Sequence, residues 1–175
     1  MTSERARRRF LEVFAPYLDD AYSLAKWLAG NGTDAEDIVQ EAAIRALSAL
    51  ERSEVAKPKA WTLSIVRNAA LTHLARKRPG ALAFIGDHDD LEALDFAFDA
   101  APNAEEALIA EQTGARLRDA IAALPSPLKE TLIMREINEL DYKEIAEATG
   151  TPIGTVMSRL ARARAAIARA LKDLK

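Results

Sequence analysis

The residues of this sequence that could bind a charged ligand are concentrated in residues 57–78, a segment with six Lys and Arg residues and no acid. An aromatic side chain, Trp61, lies among these cations. Cations attract phosphates and an aromatic ring can stack on an unpaired base, so the segment favours single-stranded nucleic acid as a ligand. Taken alone the pattern is weak, because Trp61 is also an ordinary core residue and His73 an ordinary surface or core residue. The basic residues are Lys57, Lys59, Arg67, Arg76, Lys77 and Arg78.

A second pattern, at residues 142–156, predicts a helix-turn-helix. Two helices that cross at a tight turn need a small residue at the crossing, a residue that tolerates positive φ in the turn, and an apolar anchor under the second helix. Ala146, Gly150 and Val156 provide these at the right offsets. Thr151 can cap the second helix and Pro152 suits its first turn.

The second helix of this motif has two faces. An apolar face of Val156, Leu160, Ala163 and Ile167 would pack on the core. The polar residues in and beside the half that would enter a major groove are Thr155, Ser158, Arg159, Arg162 and Arg164. A solvated basic face is the alternative interpretation, above all for Arg164. Whether these arginines contact bases or phosphates stays open.

Other chemistry has little support. Cysteine is absent, which excludes disulfides, thiolate metal sites and cysteine nucleophiles. The sequence 87–90, Asp-His-Asp-Asp, could hold a metal, but solvated acids in a linker are the more economical interpretation. No phosphate-binding glycine loop and no nucleophile–base pair is recognisable. We therefore expect no enzyme, no cofactor, no metal site and no small-molecule substrate.

Apolar periodicity predicts an all-α chain. The expected helices span 10–28, 33–50, 60–78, 104–124 as one helix or two, 128–137, 142–148 and 152–171. Thr33 to Glu36 has the form of a capping box for the second of these. Val39, Ala43, Ala46, Leu47 and Leu50 can face inward there, which leaves Asp37, Glu41 and Arg45 as a polar stripe.

Charge divides the chain into three parts. Residues 1–80 carry a net charge of +3, residues 81–111 carry −9 without a single base, and residues 112–175 carry +3. We predict helical domains at 1–80 and 104–175 joined by an acidic, flexible linker at 81–103. The linker could imitate nucleic acid, act as a solvated spacer, or compete with DNA for the two basic domains. No apolar run is long enough to span a membrane and no signal peptide is evident, so a cytoplasmic protein is expected.

Several motifs together resemble a known family. Residues 34–41, Ala60-Trp61 and residues 65–68 resemble region two of bacterial sigma factors. Leu124-Pro125 and residues 154–164 resemble region four. In this order, with a variable connection, they resemble the extracytoplasmic-function group of the sigma-70 family. That resemblance implies a promoter-specificity subunit of RNA polymerase, in which one helical domain binds opened DNA and the other binds duplex DNA.

The resemblance also implies roles for residues. The acidic helix would dock on the clamp helices of the largest polymerase subunit through Asp34, Asp37, Gln40 and Glu41. Region four would read the minus-thirty-five element through the polar residues of its second helix. An anti-sigma factor is an expected further partner. Strand melting and capture at the minus-ten element would fall to Lys57, Lys59, Trp61, Arg67, Asn68, His73, Arg76, Lys77 and Arg78.

Three positions depart from the family pattern, namely Thr72, Ala75 and Met157. Two other functions stay open at this point. One is a sigma-like decoy that only binds an anti-sigma partner, although such a protein has no need of a strand-binding surface. The other is a stand-alone helix-turn-helix regulator, which would usually dimerise to read two half-sites.

Overall fold

The computed structural model describes residues 4–77 and 104–172, and every regular element in these ranges is helical. The N-terminal unit consists of α1 (Glu4–Val13), a 3₁₀ turn (Ala15–Tyr17), α2 (Leu18–Ala29), α3 (Gly32–Leu50) and α4 (Pro58–Lys77). The C-terminal unit consists of α5 (Ala104–Ala122), α6 (Ser126–Glu136), α7 (Tyr142–Thr149) and α8 (Ile153–Lys172). The all-α prediction is confirmed. The predicted linker 81–103, with its acidic cluster 87–90, lies outside the described residues.

The first predicted helix, 10–28, is in fact two helices. The break falls at Ala15–Tyr17, around Pro16. Proline has no backbone N–H and its ring clashes with the carbonyl four residues earlier, so a helix cannot run through it undisturbed. The break lets Phe14 enter the core, where its ring stacks on Phe10 with centroids 4.9 Å apart.

The start of α3 also differs from the prediction. The helix begins at Gly32, and Asn31 is its N-cap, with a side chain that accepts a hydrogen bond from the backbone N–H of Asp34 at 2.9 Å. The expected capping box at Thr33 to Glu36 is therefore wrong. Gly30 ends α2 with a φ of 83°, a conformation that glycine adopts without strain. Gly30 therefore ends α2, and the next residue, Asn31, caps α3.

The inward face of α3 is rotated from the predicted one only in part. Of the predicted residues, Ala46 and Leu50 are buried, Val39 and Ala43 are half-buried against the core, and Leu47 is half-buried. The prediction missed three further buried residues, Ala35, Ile38 and Ala42. Small alanines on both sides of the helix make the apolar face hard to assign from spacing alone. The predicted polar stripe is confirmed, since Asp37 and Glu41 are exposed and Arg45 pairs with Glu41 at 2.9 Å.

The helix-turn-helix forms as predicted. Gly150 turns between α7 and α8 with a φ of 66°. Val156, Leu160 and Ala163 are buried, and Ile167 packs against the core. A capping box that sequence reasoning missed fixes the start of α7. There the side chain of Asp141 accepts from the backbone of Glu144, and Glu144 accepts in return from the backbone of Asp141.

The two units pack against each other. Helix α6 lies on α2, and α7 lies on α4. A single hydrophobic cluster runs through both units and includes Leu24 and Leu63 from the first and Ile133 and Ile145 from the second. The sequence had suggested two modules held apart by a larger partner. In the structure the same modules share one core.

Candidate promoter and polymerase interfaces

An exposed polar stripe runs along α3. Asp37, Gln40 and Glu41 lie on one side of the helix and are all exposed. Within the described parts of the chain, Asp37 and Gln40 bond to no other side chain. Ile44 lies one turn further on the same side, with 62% of its surface exposed. Sequence reasoning missed Ile44, although its spacing of seven from Asp37 places it on the same face.

Asp34 does not belong to this stripe. It is buried at the start of α3, where the Nδ2 of Asn31 donates to its carboxylate at 2.9 Å and Lys77 donates a second hydrogen bond. The Nε2 of His73 lies 3.1 Å from the same carboxylate. The side-chain hydrogen bond from Asn31, with the one from Lys77, holds the pKa of Asp34 well below its usual range. The sequence had grouped Asp34 with the polymerase face, whereas the structure uses it internally.

Because its pKa is lowered, Asp34 should make stability depend on pH. The contribution is fully present above the ordinary aspartate pKa of about 3.9 and is lost as the pH falls below it. We expect the urea midpoint of wild type to exceed that of Asp34→Asn at pH 7, and the difference to shrink towards pH 3. Circular dichroism at each pH measures it. Asp37→Asn is the control, and a difference for Asp34→Asn that stays constant with pH would contradict this assignment.

Besides Lys77, which pairs with Asp34, three cations of the basic segment are paired with carboxylates. Lys59 lies 3.3 Å from Asp20 of α2, within the same unit. The other two pairs cross between the units. Lys57 lies 3.2 Å from Glu147 of α7, and Arg67 contacts Glu130 of α6. Thus the surface predicted to hold an opened strand faces the C-terminal unit.

The remaining residues of the predicted minus-ten surface differ in exposure. Asn68 and Arg76 are exposed, and Asn68 accepts a hydrogen bond from Arg67 at 3.3 Å. Trp61 is half-buried and packs against the core. His73 and Lys77 lie beside Asp34, away from the loop. Arg78 lies outside the described residues.

A cavity of 380 Å³ lies beside the loop that precedes α4. Val55, Lys57 and Trp61 line it from the N-terminal unit. Glu147 and Ala148 of α7 form another part of its wall. A pocket in this loop is what a flipped base would require. In the arrangement observed, α7 covers it.

The polar residues of α8 are turned inward more than the sequence suggested. Thr155, Ser158 and Arg162 are half-buried, and the hydroxyl of Ser158 donates to the carbonyl of Thr155 at 3.1 Å. Only 11% of the Arg159 side chain is exposed. The exposed residues of the first two turns are instead Ile153, Gly154 and Met157.

Arg164 has a structural partner. Its Nη2 lies 2.7 Å from Glu136 of α6, and that hydrogen bond raises the pKa of the guanidinium. This contact supports the alternative interpretation of Arg164 as part of a solvated face.

Glu130 is the functional candidate that sequence reasoning missed. It is 1% exposed, and it accepts two hydrogen bonds from Arg67, from Nε at 2.7 Å and from Nη2 at 3.0 Å. The Nη1 of Arg159 lies 3.7 Å from the same carboxylate. One buried acid therefore contacts a predicted strand-binding arginine and a predicted duplex-binding arginine.

A larger cavity of 1210 Å³ lies between the units, beside α2, α4, α5 and α6. Trp27, Lys26, Arg118 and Lys129 are among its lining residues. Burial lowers the pKa of Lys129. Among residues 4–77 and 104–172 no cluster of metal-ligating side chains occurs, and no helix in those ranges is long and apolar enough to cross a membrane.

Comparison with known proteins identifies both units. The sequence model of sigma-70 region 2 matches residues 13–79, and that of sigma-70 region 4 matches residues 114–167. The chain is 35% identical over 173 residues to the RNA polymerase sigma-H factor of Pseudomonas aeruginosa, covering 96% of this chain and 89% of that protein. It is 32% identical over 154 residues to the ECF RNA polymerase sigma factor SigE of Mycolicibacterium smegmatis, covering 87% of this chain but only 58% of the longer relative.

A solved structure agrees with the fold. The sigma factor RpoE of Bartonella quintana, in complex with the anti-sigma factor NepR, aligns with a TM-score of 0.66 at 22% identity, over 97% of this chain and 98% of that one. The chain belongs to the sigma-70 family of RNA polymerase sigma factors, in its extracytoplasmic-function group.

Proposed function

We propose that this chain binds the RNA polymerase core and directs it to promoters, where it reads one element as duplex and opens the other. The observation that carries the proposal is the presence of region 2 and region 4 in family order on one chain. The chain would supply binding energy and no chemistry of its own, in the cytoplasm, without a cofactor.

The α3 stripe is the proposed contact with the core. An exposed carboxylate without an internal partner is free to pair with a cation of another protein. Nucleic acid is a poor ligand for an acidic surface, because phosphates and carboxylates repel each other. Asp37, Gln40, Glu41 and the exposed Ile44 combine charge, amide and apolar surface on one rigid helix. That combination suits a protein partner, and the clamp helices of the largest polymerase subunit are the partner the family indicates.

The minus-ten surface would consist of the loop before α4 and the basic side of α4. Lys57, Lys59 and Arg67 would hold the phosphates of the opened strand. The 380 Å³ cavity beside Trp61 would receive an unstacked base. Asn68 and Arg76, both exposed, would extend this surface along the helix.

The minus-thirty-five surface would be the N-terminal half of α8. A helix fits the major groove, where each base pair presents its own pattern of donors and acceptors. Thr155, Ser158, Arg159 and Arg162 lie along the helix at the spacing of one face. Arg159 would have to leave Glu130 to reach a base edge. Arg164 would contribute little, because Glu136 holds it.

An anti-sigma factor is the further partner we propose. Two structural relatives were solved as complexes, RpoE of Bartonella quintana with the anti-sigma factor NepR and CnrH with the cytosolic domain of CnrY. The chemistry of the corresponding partner of this chain is not defined by its own residues.

Transcription in vitro tests the proposed function. Purified core polymerase and this protein would be combined on a pool of fragments from the source genome, and transcript 5′ ends mapped. We expect discrete start sites that share two upstream motifs at fixed spacing. Core supplied with a housekeeping sigma factor serves as the activity control. Core binding without transcripts would favour the decoy, and DNA binding without core binding would favour the stand-alone regulator.

A further inference from the structure

We propose that Glu130 is a latch that holds the free chain in a closed, DNA-silent arrangement by binding Arg67 across the interface between the units, while it also pairs with Arg159 of its own unit. The inference rests on the proposed function, because it takes Arg67 and Arg159 as promoter contacts. It adds a form of regulation within the chain itself, independent of any anti-sigma partner.

The geometry at Glu130 resembles an arginine–phosphate contact. Arg67 approaches the carboxylate with two nitrogens, at 2.7 and 3.0 Å, in the planar bidentate arrangement that guanidinium groups also use on phosphates. Arg159 adds a longer ion pair at 3.7 Å. A guanidinium in this position cannot bind DNA at the same time. Glu130 therefore occupies two donors of Arg67 that a promoter would need, whereas the Nη1 of Arg159 is held at ion-pair distance without a hydrogen bond.

Burial makes this contact sensitive to loss of the acid. Glu130 is 1% exposed, and the side chains of Arg67 and Arg159 are 16% and 11% exposed. Removing Glu130 would leave Arg67 uncompensated at the interface, and this cost falls on the closed arrangement alone. Arg159 loses its partner in either arrangement, because it belongs to the same unit as Glu130. An apolar substitute would often stabilise such a contact equally well, so holding it by charge suits an interface that must reopen.

Other contacts between the units close the same interface. The Nδ2 of Asn138 donates to the Oδ1 of Asp20 at 2.9 Å, joining the end of α6 to α2. Glu147 pairs with Lys57 and lines the cavity beside Trp61. The C-terminal unit therefore contacts two of the strand-binding cations, Lys57 and Arg67, and forms part of the wall of the proposed base pocket.

The closed arrangement leaves the polymerase face accessible. Asp37, Gln40 and Glu41 are exposed while Arg67 and Arg159 are engaged. Core polymerase could therefore bind the closed chain before the units separate. This order would keep the free chain from occupying DNA and would release Arg67 only on the enzyme.

The test compares Glu130→Gln with Glu136→Gln. Both replace an acid of α6 by an amide of the same shape, but Glu136 pairs with Arg164 inside the C-terminal unit. Free protein would be titrated with a fluorescent duplex and, separately, with a fluorescent single strand. Each probe would carry a promoter sequence identified by the transcription experiment proposed above. We expect Glu130→Gln to bind both probes about tenfold more tightly than wild type, since apparent affinity scales with the fraction of open chain. Glu136→Gln should match wild type on the single strand and in its dimensions, because it frees only Arg164 of the duplex-binding set.

Small-angle scattering supplies a readout that does not depend on DNA. A closed chain of this length should have a radius of gyration near 16 Å, and Glu130→Gln should raise it by several ångströms. Unchanged dimensions and unchanged affinities in a folded Glu130→Gln protein would overturn the latch. Scattering needs neither DNA nor polymerase, so its result is independent of the transcription experiment. The latch proposal can therefore be rejected while the proposed function is supported, or supported while the proposed function is rejected.

A second variant guards against misfolding of the first. Asn138→Ala removes a side chain that bonds across the interface to Asp20 and makes no hydrogen bond to either arginine. It too should enlarge the chain and tighten DNA binding, by a smaller factor. If Glu130→Gln failed to fold and Asn138→Ala folded but left affinity and dimensions unchanged, the proposal would be rejected.

Discussion

Replacing Asp37 by arginine should abolish association of this chain with RNA polymerase core. The carboxylate is exposed and has no internal partner among the described residues, so the substitution leaves the fold intact. Reversing a charge in the middle of a protein interface turns attraction into repulsion and adds a desolvated, unpaired cation. We expect the dissociation constant to rise about a hundredfold or more, measured by surface plasmon resonance on immobilised core.

The matched control is Glu12→Arg. Glu12 is an exposed acid of the same unit, but it lies on α1 rather than on α3. Its reversal makes the same change in net charge and should leave core binding near the wild-type value. Equal losses for both variants would mean that only overall charge matters. Normal binding by a folded Asp37→Arg protein would show that the α3 stripe is not the docking face.

Replacing Arg159 by alanine should weaken recognition of the upstream promoter element. A bidentate contact between arginine and a guanine edge is worth about 1–3 kcal/mol of discrimination, or roughly 5- to 150-fold. Recognition is measured as the ratio of run-off transcript from a promoter with an intact element to that from one with a scrambled element. We expect Arg159→Ala to lower this ratio from the wild-type value by a factor in that range. Opening of the latch changes both promoters alike and therefore cancels.

Arg169→Ala is the comparison for this prediction. Arg169 is an exposed arginine of the same helix, near its C-terminal end and beyond the half expected in the groove. Its loss removes one cation and should lower transcription slightly and equally from both promoters. A wild-type ratio in Arg159→Ala would show that Arg159 does not read the element, whatever its effect on total activity.

Local patterns account for the parts of the fold that could be predicted. The helix-turn-helix was placed to within a residue or two because Ala146, Gly150 and Val156 each meet a separate steric demand at a fixed offset. The break at Pro16 was missed because apolar spacing continues on both sides of it. The face of α3 was rotated because alanines line both of its sides. The spacing of apolar residues indicates the inward face of a helix, but small residues such as alanine indicate that face only weakly.

The same distinction applies to the candidate site, where local spacing predicts some residues and contacts between distant elements determine the others. The exposed stripe of Asp37 and Glu41 follows from helical spacing, and its family role follows from the resemblance. Asp34 was misassigned because its use by Asn31 and Lys77 depends on where α3 begins and where α4 ends. Glu130 could not be found, since 63 residues separate it from Arg67 and only the packing of the two units joins them. Contacts between units leave no local signature in a sequence.

Sharing arginines between an internal acid and DNA changes how binding responds to ionic strength. Each phosphate that a free cation neutralises releases condensed counterions, and this release sets how steeply affinity falls as salt is added. Arg67 and Arg159 share the single negative charge of Glu130 before they meet DNA, and Arg67 forms the closer pair. When Arg67 exchanges Glu130 for a phosphate, the exposed carboxylate attracts cations, so the net release of ions is smaller than a count of phosphate contacts implies. Promoter binding that starts from the closed chain should therefore depend less steeply on salt than binding by a chain that is already open.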